Sequence, residues 1–183
     1  MDFVFDIQHN EQDFIAACIR NEKWAQQKLY EDHYPIMVTV CKRYSNNSND
    51  SLDILHEGFI KVFRHISKYK AGTSLSAWIR RIMINTAIDY YRKRSRKRTE
   101  DLETAYSLSS SAPDIVSQMS ANEILECLQQ LTFAYRSVFN LYVIEGYSHR
   151  EVSEQLGITE STSRSNLVKA RTKLKAIILS KKL

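Results

Sequence analysis

Residues 148–175 hold the side chains whose types and spacing point most directly to chemistry. Ser148-His149-Arg150-Glu151 has capping-box spacing, which opens a short helix through Val152, Gln155 and Leu156. Gly157 ends it, and Thr159 or Ser161 can cap the helix that follows. That second helix begins with the small polar residues Ser161, Thr162, Ser163 and Ser165, interleaved with Arg164 and Lys169. A capped helix, a tight glycine turn and a longer basic helix are the sequence form of a helix-turn-helix, in which small leading residues let the second helix enter a major groove. Arg164 and Lys169 can reach base edges or phosphates, while Arg171, Lys173 and Lys175 suit phosphates. A guanidinium held by two bonds on guanine discriminates by about 1–3 kcal/mol. Phosphate contacts add affinity without sequence preference. An ordinary helical hairpin with a basic face would not require caps, turn, small residues and charge to coincide.

Two further stretches carry weaker signals. In 75–98, Trp78, Tyr90 and Tyr91 lie among Arg80, Arg81, Arg92 and Lys93, a mixture able to stack unpaired bases and hold a backbone. Trp78 is on the apolar stripe, so packing is its first role. Asn85 and Asp89 stand one turn apart, and an asparagine amide can pair with a base edge. In 53–59, Asp53 and Glu57 share a helical face at a cost of about a few tenths of a kcal/mol. That face either docks a basic partner or is simply solvated. No nucleotide-binding, hydrolase or metalloprotease motif occurs. His9, His33, His56, His65 and His149 have no ligand spacing, and no carboxylates pair. The sequence therefore predicts no enzyme, no catalytic residues, no metal and no cofactor.

The elements that must position these groups read as helices. Phe14, Cys18, Ile19, Ala25 and Leu29 step at helical spacing, and a second helix runs from Tyr30 to Tyr44 with Pro35 marking a kink or a start. Leu52, Leu55, Phe59, Phe63 and Ile66 form an apolar stripe. After a loop around Lys70-Ala71-Gly72, Thr73 or Ser74 can cap a helix buried through Leu75, Trp78, Ile79, Ile82 and Ile88. Ser120-Ala121-Asn122-Glu123 is another capping box, followed by stripes at Ile124, Leu125, Leu128 and Leu131 and at Tyr135, Val138, Phe139, Tyr142 and Val143. The last helix turns Leu167, Val168, Ala170 and Leu174 inward.

The fold class is thus all-α: two small helical domains joined by a flexible linker, the C-terminal one containing the helix-turn-helix. The boundaries read 1–95, 96–118 and 119–183, the middle segment being serine-rich and without periodicity. Four Gly and two Pro in 183 residues are too few for a turn-dense all-β fold. The net charge of +5 conceals a blocked distribution: 80–98 has eight basic and one acidic residue, 99–159 two and nine, 160–183 seven and one. Two basic segments fit two contacts with one long polyanion. Cys18, Cys41 and Cys127 are an odd, scattered set that reads as idle thiols. No apolar run approaches the roughly 20 residues of a membrane span, and the N-terminus is acidic, so no membrane insertion and a cytoplasmic location are expected.

With these motifs in view, the chain resembles the extracytoplasmic-function subgroup of bacterial RNA polymerase sigma factors, over roughly 11–95 and 120–178. Asp53-Ile54-Leu55-His56-Glu57-Gly58-Phe59 is similar to the D-L-x-Q-E-x-F motif of the family's region two. Trp78 to Asn85 is similar to W-L-x-x-I-A-x-N, with Asp89 and Arg92 fitting the D-x-x-R that follows. Tyr147 to Val152 and Leu156-Gly157-Ile158 resemble L-S-Y-E-E-I and L-G-I of region four, and Thr162 to Arg171 resembles T-V-K-S-R-x-x-R-A-R. His56 stands in place of the usual Gln, Ser163 in place of an apolar residue and Asn166 in place of a basic one.

The resemblance implies a promoter-specificity subunit that binds core RNA polymerase, recognises −35 and −10 promoter elements and aids DNA melting. Asp53, His56, Glu57 and Phe59 would dock on the polymerase. Lys70, Gly72, Thr73 and Ser74, with Asn85, would capture a flipped −10 base, and Arg92, Lys93 and Arg94 would hold nearby phosphates. Thr162, Ser163, Arg164, Ser165, Val168, Lys169, Arg171 and Lys173 would bind the −35 element. Leu131 to Tyr147 would sit against the polymerase flap, and an anti-sigma factor is a usual partner in the family. A linker of about 22 residues reaches at most about 70–80 Å, or about two turns of duplex, enough for two separated elements. The competing reading is a conventional dimeric helix-turn-helix transcriptional regulator, which accounts for 148–175 but not for Asp53–Phe59 or Trp78–Asn85. An all-helical nuclease would need a metal cluster that the sequence lacks.

Overall fold

Local capping rules and apolar stripes give a chain of helices. The computed structural model describes residues 11–95 and 120–181, and every regular element among them is helical, as the sequence predicts. α1 spans Glu11–Ile19, α2 Lys23–Tyr44 and α3 Ser48–His65; a 3-10 turn at Ile66–Lys68 and a short loop lead into α4, Leu75–Ser95. Then come α5 (Ala121–Gln129), α6 (Phe133–Phe139) running on as a π turn at Asn140–Ile144, α7 (His149–Leu156) and α8 (Glu160–Ser180). The linker assigned to 96–118 and the basic residues Arg96, Lys97 and Arg98 lie outside the described residues. The chain forms two compact units: residues 11–41 with 49–87, and residues 42–48 with 88–95 and 120–181.

In the first unit, the first helix break falls at residues 20–22 rather than near Pro35. Asn21 takes a left-handed φ of 59°, and the Glu22 N–H donates to Ala17 O at 3.1 Å, closing α1 in Schellman fashion. Pro35 lies inside α2. Glu31, whose carbonyl loses its helical donor, is exposed together with Pro35, so water can satisfy that group. The core joins Ala25, Leu29 and Met37 of α2 to Ile54, Leu55 and Val62 of α3 and Ile79 and Met83 of α4, all essentially without exposure. Leu52, expected in the stripe of α3, is exposed instead: the buried face is centred on Ile54, Leu55, Gly58 and Phe59.

In the second unit the caps behave as local rules predict. Ser120 and Glu123 form a reciprocal capping box at α5, and Ser148 and Glu151 form another at α7. Leu128, Leu131 and Ala170 make a small core, against which Ile124, Tyr135, Phe139, Leu174 and Ile177 pack. Arg136 is fully buried on α6, and one of its guanidinium N–H groups donates to Gln129 O at 3.1 Å. Val143, read as part of an inward stripe, is exposed because the π turn shifts the register after Asn140.

Candidate nucleic-acid interface

The helix-turn-helix is built from bonds that its own sequence dictates. Ser148 N–H donates to Glu151 Oε2 at 2.8 Å, and Glu151 N–H donates to Ser148 Oγ at 3.3 Å. α7 ends at Gly157 with φ 67°, a left-handed turn that favours glycine, and Ile158 N–H donates back to Ser153 O at 3.1 Å. Thr159 then caps α8, accepting the Thr162 N–H at 3.1 Å. This places the start of α8, a run of small residues, at a defined angle beside α7.

The exposed side of α8 carries Thr162, Arg164, Ser165, Val168, Lys169, Arg171 and Lys173. Arg164 Nη2 donates to Glu160 Oε2 at 2.8 Å, an exposed pair on one helical face. Lys169 Nζ lies 6.0 Å from the Tyr135 ring centroid. Val168 is 64% exposed. The inward role read for it is therefore wrong; Leu167 and Ala170 fill that side, and an apolar side chain is left on a polar, cationic face. Ser163 is corrected in the opposite direction. It is fully buried, with its hydroxyl 2.9 Å from His149 Nδ1, so it joins α7 to α8 and does not face outward. The His149 ring stacks on Tyr142 with centroids 4.3 Å apart. Burial, and then the neighbouring Arg164, hold the imidazole below the ordinary histidine range.

In the first unit, Lys70, Gly72, Thr73 and Ser74 form an exposed loop. Gly72 turns it with φ 84°. Thr73 N–H and Oγ1–H both donate to Lys70 O, at 3.3 and 2.8 Å, and the Ser74 hydroxyl caps α4 by accepting the Ala77 N–H at 3.2 Å. Tyr69 packs against Trp78 with centroids 5.7 Å apart, and Trp78 is half-buried, in line with a packing role. Asn85 is exposed on α4. Arg92, Lys93 and Arg94, on the part of α4 that belongs to the second unit, are all exposed. Arg92 lies 3.9 Å from Asp89 and donates to Gln155 O at 3.0 Å.

The outer side of α3 carries Asp53 and His56, both exposed, and Glu57, half-buried and 3.2 Å from Lys61 Nζ. Phe59 is 3% exposed and packs against Tyr30 and Phe63, as its place in the apolar stripe predicts, so it supports this face from within instead of meeting a partner directly. Sequence reading missed Leu52 and Ile60, the latter 56% exposed. With His56 between them they make a ridge at four-residue spacing, a pattern visible in the sequence once the core is known to lie on the Ile54–Leu55 side.

Comparison with known proteins bears on these surfaces. Residues 29–97 match the family described as Sigma-70 region 2, and residues 121–174 match Sigma-70, region 4. The chain is 30% identical over 147 residues to RNA polymerase sigma factor SigZ of Bacillus subtilis (strain 168), covering 80% of this chain and 82% of that protein. It belongs to the ECF RNA polymerase sigma factors. A second relative, ECF RNA polymerase sigma factor SigM of Mycobacterium tuberculosis (strain ATCC 25618 / H37Rv), is 21% identical over 171 residues, covering 93% of this chain and 86% of that one. Among solved structures, the sigma factor RpoE from Bartonella quintana, crystallised with the anti-sigma factor NepR, shares the fold with a TM-score of 0.54 at 18% identity, covering 83% of this chain and 95% of that one. Sigma factors are promoter-recognition subunits, so the exposed face of α8 and the loop before α4 belong to a protein whose function is to select DNA. No helix among the described residues is long and apolar enough to cross a membrane, and no group of metal-ligating side chains occurs among them.

Proposed function

We propose a division of labour among the surfaces of this sigma factor. The side of α3 bearing Asp53, His56 and Glu57, with Leu52 and Ile60, docks on core RNA polymerase through mixed apolar and acidic contacts. The loop Lys70, Gly72, Thr73 and Ser74, with Asn85, receives a flipped base of the −10 element, while Arg92, Lys93 and Arg94 neutralise the adjoining phosphates. Thr162, Arg164, Ser165, Val168 and Lys169 read the −35 element in the major groove, and Arg171 and Lys173 hold its backbone.

By function the chain divides at 1–95 and 119–183, although 42–48 and 88–95 belong to the same compact unit as 120–181, and 96–118 is the tether that lets both elements be held at once. Because no nucleotide is hydrolysed, the unstacking energy of opening DNA is offset by base capture and backbone grip. An anti-sigma factor of matching surface is the regulatory partner, and the protein works in the cytoplasm.

One observation supports this reading above the others: an apolar residue, Val168, stands exposed between Arg164 and Lys169 on a helix whose start is capped and narrow. A methyl-bearing base edge is the natural complement of such a face. The test is footprinting of the holoenzyme on a promoter. Protection should cover two elements, and replacing Arg164 and Lys169 by alanine should remove the upstream one first. Loss of both elements together, or of neither, would contradict the assignment.

A further inference from the structure

The loop before α4 is short, exposed and turned by a left-handed glycine, and the bonds inside it join only Thr73 to Lys70 and Ser74 to the start of α4. It is also held from a distant part of the chain. Glu11, in the first turn of α1, extends its carboxylate to the glycine in the middle of the loop and to the tyrosine just before it. Oε2 accepts the Gly72 N–H at 3.0 Å, and Oε1 accepts the Tyr69 hydroxyl at 2.7 Å. The same hydroxyl also lies against Thr73 O, so its single proton is shared between the carboxylate and the loop's backbone. Packing against Trp78 fixes the Tyr69 ring.

The Gly72 amide, and then the Tyr69 hydroxyl, hold the Glu11 carboxyl below the ordinary glutamate range, so the grip is ionised at neutral pH. A carboxylate close to a nucleic-acid surface repels it unless its charge is directed elsewhere. Here its oxygens face protein donors, which fits an internal function and not a DNA contact.

We propose that Glu11 is a positioning residue for promoter opening: through Tyr69 and the Gly72 amide, its carboxylate locks the 70–74 loop in the shape that accepts an unpaired −10 base. The proposal rests on the base-capture reading of that loop. Its physical content is preorganisation: a loop already ordered loses less freedom when the base enters.

The test uses holoenzyme assembled from core polymerase and the full chain. The probe is a single-stranded oligonucleotide carrying the non-template −10 strand of a promoter that the holoenzyme opens, beside the same strand with an abasic gap at each position in turn. The wild type should prefer base over gap at one position. Glu11→Gln and Tyr69→Phe should each cut that preference by about tenfold, the size of one lost charge-assisted bond. Core affinity and binding of a −35 duplex should stay unchanged. A simple stabilising role would lower the unfolding temperature and leave the preference intact, and that result overturns the proposal. Tyr69→Phe keeps the ring packing and serves as the readout should Glu11→Gln fold poorly. Asn85→Ala separates the two levels of the argument. If Asn85→Ala loses the preference while Glu11→Gln and Tyr69→Phe keep it, base capture stands and the positioning role fails. If the wild type shows no preference at any position, both fail.

Discussion

A Cβ atom on Gly58 would stand 2.2 Å from Met83 Sδ. α3 and α4 therefore meet so closely that a methyl group at Gly58 would have to displace the buried Met83 side chain, and the outer face of α3 is registered against the helix that bears Asn85. Gly58→Ala should destabilise the protein by about 1–3 kcal/mol through overpacking, read as a lower denaturant midpoint. Adding Met83→Ala should relieve the clash and make the double variant less destabilised than the sum of the two single ones.

Two side chains on α8 should separate two kinds of DNA contact. Arg164→Ala should weaken −35 binding by about 1–3 kcal/mol and relax preference at one base pair. Val168→Ala should also lose affinity, yet leave the salt dependence of binding as it was, because an apolar side chain releases no counterions. Titrations of a −35 duplex at several salt concentrations check both. A changed salt slope for Val168→Ala would move that residue off the base edges.

Reversing charge on α3 tests polymerase docking. Asp53→Arg with Glu57→Arg should lower core affinity about tenfold or more by placing like charges against a basic partner. Binding of the full chain to a −35 duplex should be unaffected. Equal core affinity for the variant and the wild type would remove the docking role of this face.

His149 should give the fold an acid-side weakness. Its folded pKa is depressed, chiefly by burial and then by Arg164, with Arg171 adding and Glu160 opposing. The unfolded chain then binds the proton more readily than the folded one, so this contribution is present above the ordinary histidine pKa and fades as pH falls below about 6.5. Unfolding free energy measured against pH should show that decline, and His149→Gln, which keeps a partner for Ser163, should flatten it.

The thiols should be inert in the native protein. Burial pushes Cys18 up to about 11 and Cys41 up to about 12. Reaction with a disulfide reagent should be slow until denaturant is added, then complete; fast native labelling of either residue would place it at the surface.

What the sequence revealed and what it hid follow one physical line. Capping boxes at Ser120 and Ser148, the left-handed Gly157 and the Thr159 cap involve neighbours a few residues apart, so spacing was sufficient to read them. Leu52, Val143 and Val168 are exposed although periodicity puts them inside, because periodicity shows that a helix has an apolar side and says little about residues at its margin. The other helices that pack there decide. Pro35 reads as a breaker, yet it lies inside α2 where the carbonyl it frees is open to solvent, while Asn21 breaks the helix through a backbone turn that asparagine only sometimes adopts. The grip of Glu11 on Gly72 spans 61 positions, and no local pattern announces it.

The most direct measurement is run-off transcription with purified core polymerase, with and without this chain, on templates bearing promoters of the chain's own genome. The account predicts that core alone starts without preference, and that adding the chain produces defined start sites which vanish when either the −10 or the −35 element is scrambled. Transcripts that do not depend on the chain, or start sites unaffected by scrambling both elements, would contradict it.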